Sequence, residues 1–159
     1  ARVSGCEGRT VRTKRVRGAA ASYEEKRQAR TGGAVVVLIF PAAFTGVCTT
    51  EVNEVSNDLA AYGENTTVVG ISTDAPFTLG EFRKVHGLKF NLLSDHEANV
   101  CRLYGSKYNR DFTPMKLDRI AKRSAVVVGS DGVIRYAEVL ESAGDMPDLS
   151  AVKAALKSA

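Results

Sequence analysis

The sequence predicts an α/β domain built on a central mixed β-sheet flanked by helices, and three observations carry that prediction. Two β-branched apolar runs, "AVVVLIF" at 34–40 and "TTVVGIS" at 66–72, read as strands buried on both faces. Each leads into a stretch with apolar residues three and four apart, so strand alternates with helix, as in a parallel sheet. Towards the carboxyl end, "SAVVVGSDGVIRYAEVL" holds two further apolar runs joined by Ser130-Asp131-Gly132. Asp-Gly between such runs signals a hairpin, which makes part of the sheet antiparallel.

Taken in order, the first strand is bounded by Gly32-Gly33 and by Pro41. "TTEVNEVSNDLAAYGEN" then places Val52, Val55, Leu59 and Tyr62 on one helical face, with Gly63 as its stop. The second strand, 66–72, passes through "DAP" into a helix from Phe77 to about His86, ended by Gly87. "FNLLSD" reads either as a short strand or as a turn, and "EANVCRLYG" as a short helix with Val100, Leu103 and Tyr104 facing inward. Residues 106–122 show no period and are long for a loop, so they read as an excursion over the active face. The hairpin strands cover 124–129 and 133–140, and a last helix at 149–156 aligns Leu149, Val152 and Leu156. This element order is the layout of a thioredoxin-like fold.

Composition narrows the functional classes. The 159 residues are 44% hydrophobic and 25% charged, as in ordinary globular proteins, and the longest apolar run is too short to span a bilayer. Three cysteines are too few, and odd in number, for a disulfide framework, so a reducing compartment is expected, the cytoplasm by default. Residues 1–33 hold nine Lys or Arg against three Asp or Glu, so the basicity belongs to an amino-terminal arm preceding a domain at 34–159. The arm reads as solvated and at most partly ordered, although "RTVRTKRV" could alternate as a strand with Val11 and Val16. It lacks the aromatic interleaving of a nucleic-acid binder. Its Arg-rich composition and its start at Ala1 leave import into an organelle through a lost presequence open. There is no phosphate-cradling Gly-rich loop and no CxxC pair. His86 and His96 read as surface residues without metal-ligand spacing, so neither metal nor cofactor is expected.

Chemistry gathers at "FPAAFTGVCTTE", residues 40–51. A free cysteine is often just a small buried hydrophobe. Cys48, however, falls where a buried parallel strand meets the first turn of a helix, the place where open α/β sheets bind ligands and where unpaired backbone N–H groups favour an anion. A thiolate is stabilised in such a position.

The segment resembles the active site of the peroxiredoxins. Their PxxxTxxC pattern is met by Pro41, Thr45 and Cys48, and a glutamate common three residues on is met by Glu51. The similarity continues through "VVGISTDAPFTLGEF", "HGLKFNLLSD", "AKRSAVVVGSDGVIRY" and "EVLESAGDMPDL", about residues 34–157. It implies a thioredoxin-like fold and a thiol-dependent peroxidase in which Cys48 attacks hydrogen peroxide or organic hydroperoxides. The family's active-site arginine falls on Arg123, and homodimers are common in the family.

Magnitudes apportion the roles. A thiol of pKa about 8.5 is a few per cent ionised at neutral pH, so full ionisation gains at most about thirtyfold. The lower nucleophilicity of a more acidic thiol returns about tenfold of that. Larger acceleration requires donors aimed at the charge that develops as the O–O bond breaks. Arg123, the Thr45 hydroxyl and the backbone N–H groups around Val47 and Cys48 are assigned that task. Pro41, which has no N–H, shields the sulfur, and Glu51 orients Arg123.

Attack leaves a sulfenic acid that another thiol must reduce. The two sites at which family members carry a resolving cysteine correspond to Asn53 and Arg83 here. Cys101 alternates with inward-facing residues and reads first as a structural thiol. Cys6, in the arm, is the other candidate resolver. The expected reductant is therefore an external thiol: thioredoxin, glutaredoxin or a small thiol. A peroxide sensor or redox-relay module without efficient turnover is the alternative.

Overall fold

The computed structural model describes residues 32–110 and 116–159. Expectations for the arm, including Cys6 and the alternating "RTVRTKRV" stretch, lie outside the described residues, apart from Gly32 and Gly33.

Five strands form one sheet: β1 (Ala34–Ile39), β2 (Thr66–Ser72), β3 (Asn91–Ser94), β4 (Ser124–Val128) and β5 (Ile134–Val139), in the order β3-β2-β1-β4-β5. β1, β2 and β3 run parallel, while β4 is antiparallel to β1 and β5 to β4. The sheet is mixed, as predicted. "FNLLSD" contributes a strand rather than a turn, because Asn91 to Ser94 pair in register with Val69 to Ser72.

The central position of β1 follows from its sequence, since a run that is apolar on both faces must be covered on both. On one side Val36 and Leu38 pack with Cys48, Val52 and Val55 of α1 (Gly46–Asn57), Leu79 and Phe82 of α2 (Pro76–Val85), and Val152 of the last helix (Leu149–Leu156). On the other, Val37 and Ile39 pack with Ala121 and with Cys101 of α3 (Asn99–Leu103). The sheet therefore separates the two cysteines. Gly70 lets Phe40 approach β2 closely: a Cβ there would stand 2.5 Å from Leu92 Cδ2 and 3.3 Å from the Phe40 ring. α2 starts on Pro76, whose missing N–H has no helical partner to lose. Gly87 ends the turn that follows at φ 59°, as expected of a terminator.

Three expectations need correction. The first helix stops at Asn57, and Leu59–Tyr62 forms a separate 3-10 turn. Asn57 and Asp58 are poor helix residues, whose side chains compete for the backbone. Leu103 is 65% exposed rather than inward, and Cys101 takes the buried place. The cause is Asp95, whose carboxylate accepts the N–H groups of Asn99 at 2.9 Å, Val100 at 3.1 Å and Cys101 at 2.7 Å, setting the rotation of a five-residue helix. Finally, the base of the 106–122 excursion is pinned by an antiparallel bridge between Lys107 and Ala121. Ala121 packs into the Cys101 side, so that base does not cover the face of Cys48. No described helix is long and apolar enough to cross a membrane.

Candidate active site

β1 delivers the chain to buried Phe40 and Pro41, beyond the carboxyl end of the strand. The next three residues turn sharply. Phe44 adopts φ 62°, unusual for a bulky side chain, and its ring rests edge-on against Phe82 with centroids 4.9 Å apart. Thr45 takes the N-cap position of α1 in extended conformation, exposed, with its hydroxyl donating to the Ala42 carbonyl at 2.8 Å. The first intrahelical bond runs from Thr49 N–H to the Thr45 carbonyl at 2.9 Å. The N–H groups of Gly46, Val47 and Cys48 precede it, so the helix has no carbonyl to offer them. Cys48 thus sits in the first turn, 1% exposed.

Arg123 reaches this turn from the residue before β4 and is fully buried. One Nη2 N–H donates to Cys48 Sγ at 3.3 Å, and Nη2 also donates to the Ala143 carbonyl at 2.9 Å. Nη1 donates to Glu51 Oε2, forming an ion pair without solvent exposure. Glu51 lies three residues after Cys48, a spacing that puts both side chains on one side of α1. Among the described residues, Glu51 Oε1 and Arg123 Nε have no hydrogen-bond partner.

Burial pushes the Glu51 carboxyl up to about 7, outweighing the opposing pull of the Arg123 charge and hydrogen bond. Burial works against the charge of Arg123, yet Glu51 and Cys48 hold its pKa above the ordinary value. One buried cation therefore faces two acids. With Glu51 protonated, the charge of Arg123 is left to the sulfur.

A consequence for stability follows. Between about pH 4.5 and 7 an unfolded Glu51 has lost its proton while the folded one keeps it, so its contribution is full below that window and is lost as pH rises through it. Urea midpoints of the wild type relative to Glu51→Gln should fall from pH 4.5 to pH 7.5. A relative midpoint that rises over the same range would show that Arg123, not burial, governs the carboxyl.

Of the residues assigned from sequence, Pro41, Val47, Cys48, Glu51 and Arg123 converge on one end of the sheet. Thr45 is beside them, but its hydroxyl proton is engaged by Ala42, so it presents acceptor lone pairs rather than the expected donor. Cys101 is fully buried on the far side of the sheet, and burial, aided by a hydrogen bond to Asp95, pushes its thiol far up. His86 is half-buried rather than on the surface, edge-on to Phe82 at 4.9 Å. The Ala143 carbonyl and Asp74, whose Oδ2 accepts the Ala43 N–H at 2.8 Å, were not foreseen. A backbone carbonyl carries no sequence signal, and Asp74 in "STDAP" reads as an ordinary turn residue. Among the described residues no three His, Cys, Asp or Glu side chains group to hold a metal ion.

Comparison with known proteins agrees with this fold. The family model described as AhpC/TSA matches residues 10–137. A thiol peroxidase of Corynebacterium glutamicum is 33% identical over 129 residues, 79% of this chain and 73% of its own. The crystal structure of the peroxidoxin BcpB of Mycobacterium tuberculosis superposes with TM-score 0.67 at 26% identity, covering 79% of each chain. The bacterioferritin comigratory protein of Xanthomonas campestris, described for its alkyl peroxide reduction activity, gives TM-score 0.68 at 25% identity over 84% of this chain and 83% of its own.

Proposed function

The chain belongs to the AhpC/TSA family of thiol-dependent peroxidases, and we propose that Cys48 is its peroxidatic sulfur, with hydrogen peroxide and organic hydroperoxides as substrates. The observation that carries the assignment is the 3.3 Å contact from Arg123 Nη2 to Cys48 Sγ in a buried first turn. The alkyl peroxide reduction described for the Xanthomonas campestris relative supports the wider substrate class.

In the first step the Cys48 thiolate attacks one peroxide oxygen, an S–O bond forms and the O–O bond breaks. The sulfur is oxidised by two electrons and keeps the attacked oxygen as sulfenic acid, and the departing alkoxide or hydroxide takes a proton from solvent to leave as alcohol or water. In this reading Arg123 and the N–H groups of Val47 and Cys48 meet the developing negative charge. Thr45, with its proton committed to Ala42, accepts the O–H of the incoming peroxide and so orients it. Pro41 keeps water from the sulfur, and Glu51 positions Arg123.

The sulfenic acid then condenses with an external thiol, releasing water and forming a mixed disulfide that a second thiol reduces. The separation of Cys48 and Cys101 by the sheet favours this route over a disulfide between those two. Peptide mass spectrometry after one equivalent of peroxide should find Cys48 as sulfenic acid or as an adduct of added thiol. A Cys48–Cys101 or Cys48–Cys6 disulfide in high yield would overturn the external route.

Peroxide consumption measured with dithiothreitol, glutathione with glutaredoxin, or thioredoxin in turn tests the function. Many turnovers per chain with at least one reductant are expected. Oxidation that halts after one equivalent with all of them would instead fit a sensor or relay.

A further inference from the structure

We propose that Asp74 is a positioning residue that latches the loop leading into the helical turn of Cys48 in its closed conformation. The inference rests on Cys48 being the peroxidatic sulfur, although its test does not require turnover.

Asp74 lies two residues beyond β2, 31 residues from the loop that it holds. Its Oδ2 accepts the Ala43 N–H at 2.8 Å and also the Ser72 hydroxyl. The Ser72 Oγ in turn accepts the Asp74 N–H at 3.0 Å, so carboxylate and serine fix one another. The Asp74 carbonyl accepts the Ser94 hydroxyl at 2.5 Å, which ties the same turn to the end of β3. Asp74 is thus an anchored acceptor, and Ala43 is the group it secures.

What is secured is a strained segment. Ala43 precedes Phe44 at φ 62° and Thr45 at the helix cap, and only two residues separate Thr45 from Cys48. A bulky residue persists at positive φ only where its surroundings hold it. Here the Phe44 ring has one anchor, Phe82, and the backbone before it has another, the Asp74 carboxylate. With the loop closed, Cys48 is 1% exposed, so a bulky reagent reaches its sulfur when the loop opens. The Ala43 to Asp74 bond spans the two sides of that opening.

Alkylation by iodoacetamide reads the opening directly, and peptide mass spectrometry follows Cys48 and Cys101 separately. Cys101 is buried on the other side of the sheet and serves as the internal gauge of global unfolding. Loss of a hydrogen bond to a charged acceptor is worth about tenfold or more in an equilibrium. In Asp74→Ala, alkylation of Cys48 should therefore accelerate about tenfold or more while Cys101 changes by less than about twofold. Asp74→Asn retains an acceptor oxygen and should restore most of the wild-type rate. Equal acceleration at both cysteines, no acceleration at Cys48, or failure of Asp74→Asn to rescue would each overturn the latch. None of these outcomes depends on peroxidase turnover, so a failed latch and a failed assignment of Cys48 remain distinguishable.

Discussion

Cys48→Ser is expected to lower peroxide consumption by roughly a thousandfold or more, to the rate of the reductant alone. The serine hydroxyl stays protonated at neutral pH, so nothing in the first turn of α1 can attack the O–O bond. The substitution changes little volume at a position that is already polar on its Arg123 side, so the fold should persist. Cys101→Ala is the matched control, since it removes a buried thiol across the sheet from the site. It should keep peroxidase activity within about twofold, with some loss of thermal stability from the small cavity. Equal losses of activity in the two variants would place the chemistry elsewhere.

The second large effect belongs to Arg123. Replacing it alone leaves the enclosed Glu51 without its cation, and breaking a buried pair by removing one partner costs about 3–5 kcal/mol of stability. The informative variant is Glu51→Gln with Arg123→Gln, in which neither partner is left charged, measured against Glu51→Gln alone. Removing one preorganised donor from a developing oxyanion costs about a hundredfold to a thousandfold in rate. The double variant should fall by that amount in its reaction with peroxide, with its circular dichroism spectrum unchanged. If it reacts within about threefold of Glu51→Gln, the guanidinium is a structural cation and the N–H groups of the helix terminus suffice.

Much of this was legible in the sequence, for physical reasons that differ between elements. The runs at 34–40 and 66–72 are apolar on both faces, and only a covered central strand accommodates such a run. Asp131-Gly132 announced the turn between β4 and β5, and Gly132 does adopt φ 80°. The site was legible because Pro41, Thr45, Cys48 and Glu51 fall within a dozen residues at a recognisable spacing. Arg123 was legible through resemblance alone, for nothing local announces that a side chain 75 residues away will meet the sulfur.

The misread positions share a cause. A five-residue helix has too little periodicity to choose a face, so α3 took its rotation from the Asp95 carboxylate and turned Leu103 outward. The direction of the Thr45 hydroxyl depends on where the Ala42 carbonyl points, and Asp74 matters because an Ala43 N–H happens to face it. These are backbone relations across a loop, and side-chain pattern does not encode them.

The central claim is that the rate arises mainly from donors around Cys48 and only slightly from ionising its sulfur. The direct measurement is the second-order rate constant for peroxide as a function of pH, carried to the plateau where the sulfur is fully ionised, in Glu51→Gln and in Glu51→Gln/Arg123→Gln. A plateau lower by about a hundredfold or more in the double variant is expected. An equal plateau, with only the midpoint of the pH profile displaced, would contradict the claim and leave thiolate formation as the whole of Arg123's contribution.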